Sequence, residues 1–243
     1  MKMNESLMLK SCLALGLGVM TTLVAPTASA VTTLRITHFL PAVSNAQQQV
    51  LEPWCEDLAT QSDQQLKCQL YPSMQLGGTP GQLADMVRNG VVDIAWTALG
   101  YSAGRFPRSE VMELPFMLPA GGEDASRIVW DFSQGPAAQD FKGYKVLAVH
   151  SDGGSVFHTR SGPIKTLDDM QGLRLRAPTR LASKLVDALG ASAVSMPPAQ
   201  IADTLSKGVI DGAAAAWEVV PPTKLDEVTA FHTETAEHQP RRP

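Results

Sequence analysis

The residues best placed to do chemistry are the two arginines of Leu173-Arg174-Leu175-Arg176-Ala177-Pro178. On an extended strand Leu173 and Leu175 share one face, while Arg174 and Arg176 share the other. Arg176 is the last strand residue before Pro178, which stops the strand. Open α/β sheets bind ligands at the carboxyl ends of their strands. A guanidinium placed there presents a planar fork that matches a carboxylate with two parallel hydrogen bonds. The pattern alone also describes arginines exposed at a strand end. Aromatic residues recur at comparable points: Phe39 follows one strand, Trp96-Thr97 ends another, Phe157 follows Gly153-Gly154, and Trp217-Glu218 ends a fourth. A single aromatic ring serves a core as readily as a cleft. Their shared placement after strands is what points to a ligand mouth.

Other chemistries lack their residues. The five histidines, at 38, 150, 158, 232 and 238, show no H-E-x-x-H spacing, and the cysteines form no C-x-x-C, which excludes the common zinc and thiol-redox patterns. Gly77-Gly78-Thr79-Pro80-Gly81 lacks the lysine of a phosphate loop, and no serine sits in a nucleophile elbow. His150, Ser151 and Asp152 are neighbours in sequence, but a triad is a geometry and not an adjacency. The expectation is a binding protein without cofactor or metal, not an enzyme.

The elements that must position Arg176 are built twice. Pro80 to Asp93, PGQLADMVRNGVVD, is echoed by Pro198 to Asp211, PAQIADTLSKGVID, with seven identities in fourteen positions. Each copy opens on a proline suited to a first helical turn and runs apolar residues at helical spacing. Each closes at a glycine, Gly90 or Gly208, where a left-handed residue ends a helix, and enters an apolar strand, Val91 to Trp96 or Val209 to Asp211. Ahead of the first copy, the alternating strand Thr33 to His38, a helix over Gln47 to Gln61 and the strand Leu66 to Leu70 complete a β-α-β-α-β run. Lys145 to His150 and Val156 to Thr159 are predicted strands, Asp124 to Phe132 and Arg180 to Leu189 predicted helices. Such alternation gives an α/β fold with mainly parallel sheets and helices on both faces. Two equivalent units imply two lobes with a cleft between them.

Residues 1–30 read as a cleavable signal peptide, with Lys2 and Lys10 ahead of the apolar run Leu13 to Val24 and small residues at Ala28-Ser29-Ala30. No later segment approaches the roughly 20 apolar residues of a membrane helix. The formal charge is −4 over the whole chain, a mild acidity that argues against nucleic acid as a partner. It does not disfavour a small anion held by one local arginine. Cys55, on the first helix, and Cys68, on the second strand, can form a disulfide in an exported chain, with two buried thiols as the alternative.

Four stretches carry a family resemblance: YPSMQLGG (Tyr71 to Gly78), GVVDIAWT with GYSAGRFPRSEVMELPF (Gly90 to Phe116), IKTLDDMQGLRLRAPT (Ile164 to Thr179) and GVIDGAAAAWEVVPPTKL (Gly208 to Leu225). Through them the chain resembles the dicarboxylate-binding type of solute-binding subunit of tripartite ATP-independent periplasmic (TRAP) transporters. The resemblance implies a two-lobed periplasmic binding protein that captures a small organic acid and hands it to the membrane subunits of a TRAP permease. It makes Arg176 the ligand clamp and offers His38, Trp96, Thr97, Tyr101, Phe157 and Trp217 as cleft-lining residues. Many members place an asparagine where Ala215 stands, and this chain carries Trp217 nearby. Both features favour an aromatic or hydroxy-aromatic acid over a sugar acid. The implied organisation is a first lobe over 31–152, a second over 153–231, and a shortened crossing with an unpacked tail over 232–243. Members run further past Thr233, so the resemblance also allows a truncated, nonfunctional copy. The scaffold equally suits a ligand-sensing partner of a membrane receptor.

Overall fold

The computed structural model describes residues 30–119 and 121–234. The signal segment falls outside them except for Ala30, and so does the tail from residue 235. In chain order the elements are β1 (Thr32–His38), a π-helical stretch (Ala46–Leu51) running into α1 (Glu52–Gln61), β2 (Leu66–Tyr71), α2 (Leu83–Arg88), β3 (Ile94–Trp96) and α3 (Gly122–Gln134). There follow β4 (Val156–Thr159), β5 (Arg174–Ala177), α4 (Arg180–Ala188), β6 (Ser192–Ser195), α5 (Ile201–Ser206), β7 (Gly212–Ala215) and β8 (Phe231–Thr233). One sheet has the order β2-β1-β3 and is parallel throughout. The other has the order β6-β5-β7-β4-β8, with β6-β5-β7 parallel and β4 antiparallel to both its neighbours. The fold is the expected two-lobed α/β arrangement.

The repeat in the sequence is a repeat in the structure. The run β1-α1-β2-α2-β3 and the run β5-α4-β6-α5-β7 each put their first strand at the centre of a parallel trio. Gly90 and Gly208 take φ of 69° and 66°. The next residues, Val91 and Val209, donate back to the carbonyls of Met86 and Thr204 at 2.9 Å each, the hydrogen bond that closes a Schellman motif. The aspartate ending each copy takes the same partner. Asp93 Oδ2 accepts from the backbone N–H (2.8 Å) and Nε (3.2 Å) of Arg35, and Arg35 Nη2 donates to Gly90 O. Asp211 Oδ2 accepts from the backbone N–H (2.8 Å) and Nε (3.0 Å) of Arg174, and Arg174 Nη2 donates to Gly208 O. These bonds hold both aspartates below the usual carboxylate range. Arg174 is therefore a structural clasp at the start of β5, as Arg35 is at β1. Both pairs are solvent-washed, so Asp93→Ala and Asp211→Ala are each expected to cost about 1 kcal/mol, and by similar amounts, in urea unfolding.

Two apolar clusters sandwich the second sheet. Ile201, Leu205, Ile210, Ala213, Ala215, Val220 and Leu225 form one, and Ile164, Met170, Leu175, Ala177, Val186 and Ala191 the other. Alternation along β5 gives Leu175 to the second cluster and turns Arg176 to the face of the first.

Four sequence expectations change. Lys145 to His150 forms no strand, because no neighbouring strand pairs with it among the described residues and Leu147 stays exposed. Val209 to Asp211 precede β7 instead of forming it, since the Schellman turn and the Arg174 clasp occupy them. The first helix opens π-helically ahead of Pro53, whose ring clashes with a regular α-helical carbonyl four residues earlier. His232 and Thr233, read as the start of a shortened crossing, belong to β8, and Thr233 Oγ1 donates to Ile164 O at 3.0 Å. Cys55 and Cys68 are joined by a disulfide between α1 and β2.

Candidate functional site

Arg176 stands at the carboxyl half of β5, 2 % exposed. Its Nε donates to Met196 O (3.1 Å), just past β6, and its Nη1 to Ala214 O (2.8 Å) on β7. Nη2 reaches the hydroxyl of Tyr101 at 3.4 Å, from the other lobe. Three of the five N–H groups of a guanidinium are thus committed, leaving one on each terminal nitrogen. Donors on the two terminal nitrogens of a guanidinium suit the two oxygens of a carboxylate. Among the described residues no carboxylate bonds to Arg176, and burial pushes its guanidinium below its ordinary value. A buried cation without an anion carries a desolvation cost that an incoming anion repays.

Tyr101 completes the mouth from the first lobe. Its ring meets Phe39 edge-on at 5.1 Å between centroids. Burial raises its phenol further above the working range, so the hydroxyl accepts from Arg176 and keeps a proton to donate to a ligand oxygen. Next to it the lobes touch. Thr179 Oγ1 donates to Glu113 Oε2 at 2.7 Å, and Arg180 pairs with Glu110. Gly100 fits this contact because a Cβ there would stand 2.6 Å from the Thr179 methyl. Burial raises the Glu113 carboxyl, and the charge of nearby Glu110 adds to this.

The remaining candidates divide. His38 ends β1 as the register partner of Trp96 on β3, and the Trp96 ring meets His150 edge-on at 5.1 Å. Thr97 turns its hydroxyl to the carbonyls of Pro80 and Ala98. Trp217 packs edge-on against His158 at 5.0 Å and donates from Nε1 to Glu234 Oε1 at 2.8 Å. Phe157 lies elsewhere: it packs against the Ile164, Met170 and Leu175 cluster, because strand alternation turns it away from its neighbour His158. It is a core residue.

His158 was missed in the sequence. It is fully buried and lies in one cross-sheet row with Arg176, Ala213 and His232. Its Nε2 meets Ala215 O at 3.1 Å and its Nδ1 meets His232 Nδ1 at 2.8 Å. A carbonyl only accepts, so Nε2 carries the proton and His232 donates to Nδ1. The alternation of Val156 and His158 opposite Phe157 was the available signal, but a lone histidine has no spacing to mark it.

Burial lowers both His38 and His158 below the ordinary histidine value. The unfolded chain then takes up protons near about pH 6.5 that the folded chain refuses. Stability is complete above that value and falls as pH drops from 7 toward 5, by at most about 1.4 kcal/mol per pH unit for each histidine. Burial acts oppositely on Glu113 and Glu218, which are raised, so the readout is a difference. His158→Gln is expected to flatten the slope of urea-derived stability against pH relative to the parent chain.

The family profile for bacterial extracellular solute-binding proteins, family 7, matches residues 36–241. The chain belongs to this family. Among solved structures it is similar to a marine metagenome TRAP solute-binding protein specific for aromatic acid ligands, crystallised with 3-hydroxybenzoate. That match has 44% identity and a TM-score of 0.80, over 84% of this chain and 63% of that one. A TRAP solute-binding protein from Rhodoferax ferrireducens T118, in complex with copurified benzoate, matches at 47% identity and TM-score 0.79, over 83% and 62%. Among curated proteins, the 2,3-diketo-L-gulonate-binding periplasmic protein YiaO of Escherichia coli K12 is 28% identical over 69% of this chain and 51% of its own length. The chain thus spans less than two thirds of these relatives. Among the described residues no helix is long and apolar enough to cross a membrane.

Proposed function

We propose that this protein captures an aromatic carboxylic acid in the periplasm and delivers it to a TRAP permease. The observation that carries the reading is Arg176, a buried guanidinium with an N–H left on each terminal nitrogen and, among the described residues, no carboxylate bonded to it. Tyr101 adds a hydroxyl donor from the facing lobe, and Phe39, Trp96 and Tyr101 supply aromatic surface at the strand ends. The benzoate and 3-hydroxybenzoate in the solved relatives support a ring-bearing ligand. So does Ala215, which offers no polar side chain for a sugar hydroxyl. The lobes, taken as 31–152 and 153–231, close through Tyr101, Glu110 and Glu113 on one side and Arg176, Thr179 and Arg180 on the other.

The ligand binds the folded, closed chain and stabilises it as RT ln(1 + [L]/Kd). Benzoate at a hundred times its Kd is expected to add about 2.7 kcal/mol, read as a raised Tm. Succinate and glucuronate at the same concentration leave the Tm unchanged. A rise with those acids alone overturns the aromatic assignment.

A further inference from the structure

His38 holds a buried acceptor that none of the described residues uses. Its side chain is 1 % exposed, and its Nδ1 has no hydrogen-bond partner among the described residues. The proton on the ring is placed by a relay that begins on α1. Glu52 Oε1 accepts from Gln47 Nε2 at 2.8 Å. A carboxylate accepts and does not donate, so this bond orients the Gln47 amide and leaves its oxygen for His38. That oxygen stands 3.0 Å from His38 Nε2, which must therefore be the protonated nitrogen. Burial keeps the ring neutral by lowering its pKa. Nδ1 is left as a bare lone pair in a place where an unpaired polar atom is costly.

The position is the ligand-binding end of the sheet. His38 is the last residue of β1, and its register partner is Trp96. Its chain neighbour Phe39 packs on Tyr101, whose hydroxyl meets Arg176. No described residue donates to Nδ1, which leaves a ligand entering at this end of the sheet to supply the donor. Arg176 and the Tyr101 hydroxyl already account for a carboxylate, so the remaining requirement is a second polar group on the ligand that donates. A hydroxyl on the ring of the acid meets it, whereas an unsubstituted or etherified ring leaves Nδ1 unpaired.

We infer that His38 Nδ1 is the acceptor for a hydroxyl group of the bound acid, and that it makes the site selective for hydroxylated aromatic acids over their unsubstituted counterparts. This rests on the aromatic-acid reading above and adds to it a residue and a direction of preference. Sites built around a hydrogen bond discriminate strongly against an analogue that lacks it, because the protein's own polar atom is left unpaired.

The test is calorimetric titration with benzoate, the three monohydroxybenzoates and 3-methoxybenzoate, on the parent chain and on His38→Phe. The parent is expected to bind one hydroxybenzoate isomer at least about tenfold tighter than benzoate or the methoxy compound. In His38→Phe that ratio falls to near one. Equal binding of benzoate and every hydroxybenzoate by the parent overturns the His38 assignment while leaving the aromatic-acid reading standing. So does a preference that survives in the variant. Binding of none of these acids overturns both. Should His38→Phe fail to fold, nitrogen NMR of the parent labelled in histidine decides. The unprotonated Nδ1 resonance of His38 shifts toward the hydrogen-bonded range with the preferred hydroxybenzoate and not with benzoate. An equal shift with both acids overturns the proposal.

Discussion

Arg176→Lys is expected to weaken benzoate binding at least about a hundredfold, the range seen when one partner of a buried, hydrogen-bonded charge pair is altered. The charge is conserved in that change, so the loss measures geometry. The guanidinium bridges two backbone carbonyls, Met196 O and Ala214 O, and still has an N–H left on each terminal nitrogen. An ammonium has three donors around one nitrogen on a flexible stem. It can satisfy the carbonyls or the ligand in good geometry, but not both. The chain should remain folded, because the sheet ladder on either side of residue 176 uses backbone groups alone. A thermal melt without ligand that stays cooperative, together with calorimetry showing the affinity loss, is the expected pair of results. Unchanged affinity in a folded Arg176→Lys protein would refute the clamp.

The two arginines of β5 illustrate how far the sequence could be read. Alternation put Arg174 and Arg176 on one face and could not tell them apart. The repeat contained the answer, because Asp93 and Asp211 end its two copies and each clasps an arginine of a central strand. Aligning Leu34-Arg35-Ile36-Thr37 with Leu173-Arg174-Leu175-Arg176 makes Arg35 the counterpart of Arg174 and leaves Arg176 facing Thr37. Thr37 is fully buried and gives its hydroxyl to Tyr71 O at 3.0 Å. One lobe thus fills the position with a short, self-satisfied side chain, and the other with a long cation that has donors left over. Duplication supplied the scaffold, and a single departure from it supplied the chemistry.

What stayed illegible was set by partners distant in the chain. Lys145 to His150 has strand propensity, yet a strand exists only with a neighbour to pair with. Phe157 was placed by its position after two glycines, whereas the facing cluster of Ile164, Met170 and Leu175 determines where its ring goes. The row of Arg176, Ala213, His158 and His232 depends on strand order β5-β7-β4-β8, with β4 running against the others. No local period encodes that reversal. The proton on His38 was equally hidden, since it follows from Gln47 and Glu52 through two side-chain bonds.

The adjacent row, with Leu175 and Thr159, holds Gly212, the position where one methyl group should do the most damage. A Cβ at residue 212 would stand 2.7 Å from His158 O, 2.8 Å from the Thr159 methyl and 2.9 Å from a Leu175 methyl. The side chains could rotate, but His158 O belongs to the backbone of β4, which is held against β7 by the antiparallel ladder. Relief requires β4 and β7 to separate, and overpacking of this kind costs about 3 kcal/mol. In a domain of this size that lowers Tm by roughly 6–12 °C. Gly208→Ala provides the contrast. Its added methyl meets nothing nearer than Arg160 Nη1 at 3.7 Å, so only the strain of a positive φ remains, about 1 kcal/mol. Ala214, whose carbonyl holds Arg176, lies two residues beyond Gly212 on the same strand. Gly212→Ala is therefore expected to lose benzoate affinity as well as stability, while Gly208→Ala loses stability alone. Equal melting temperatures for the two variants would show that β7 can shift without cost, and that the clamp does not depend on where that strand lies.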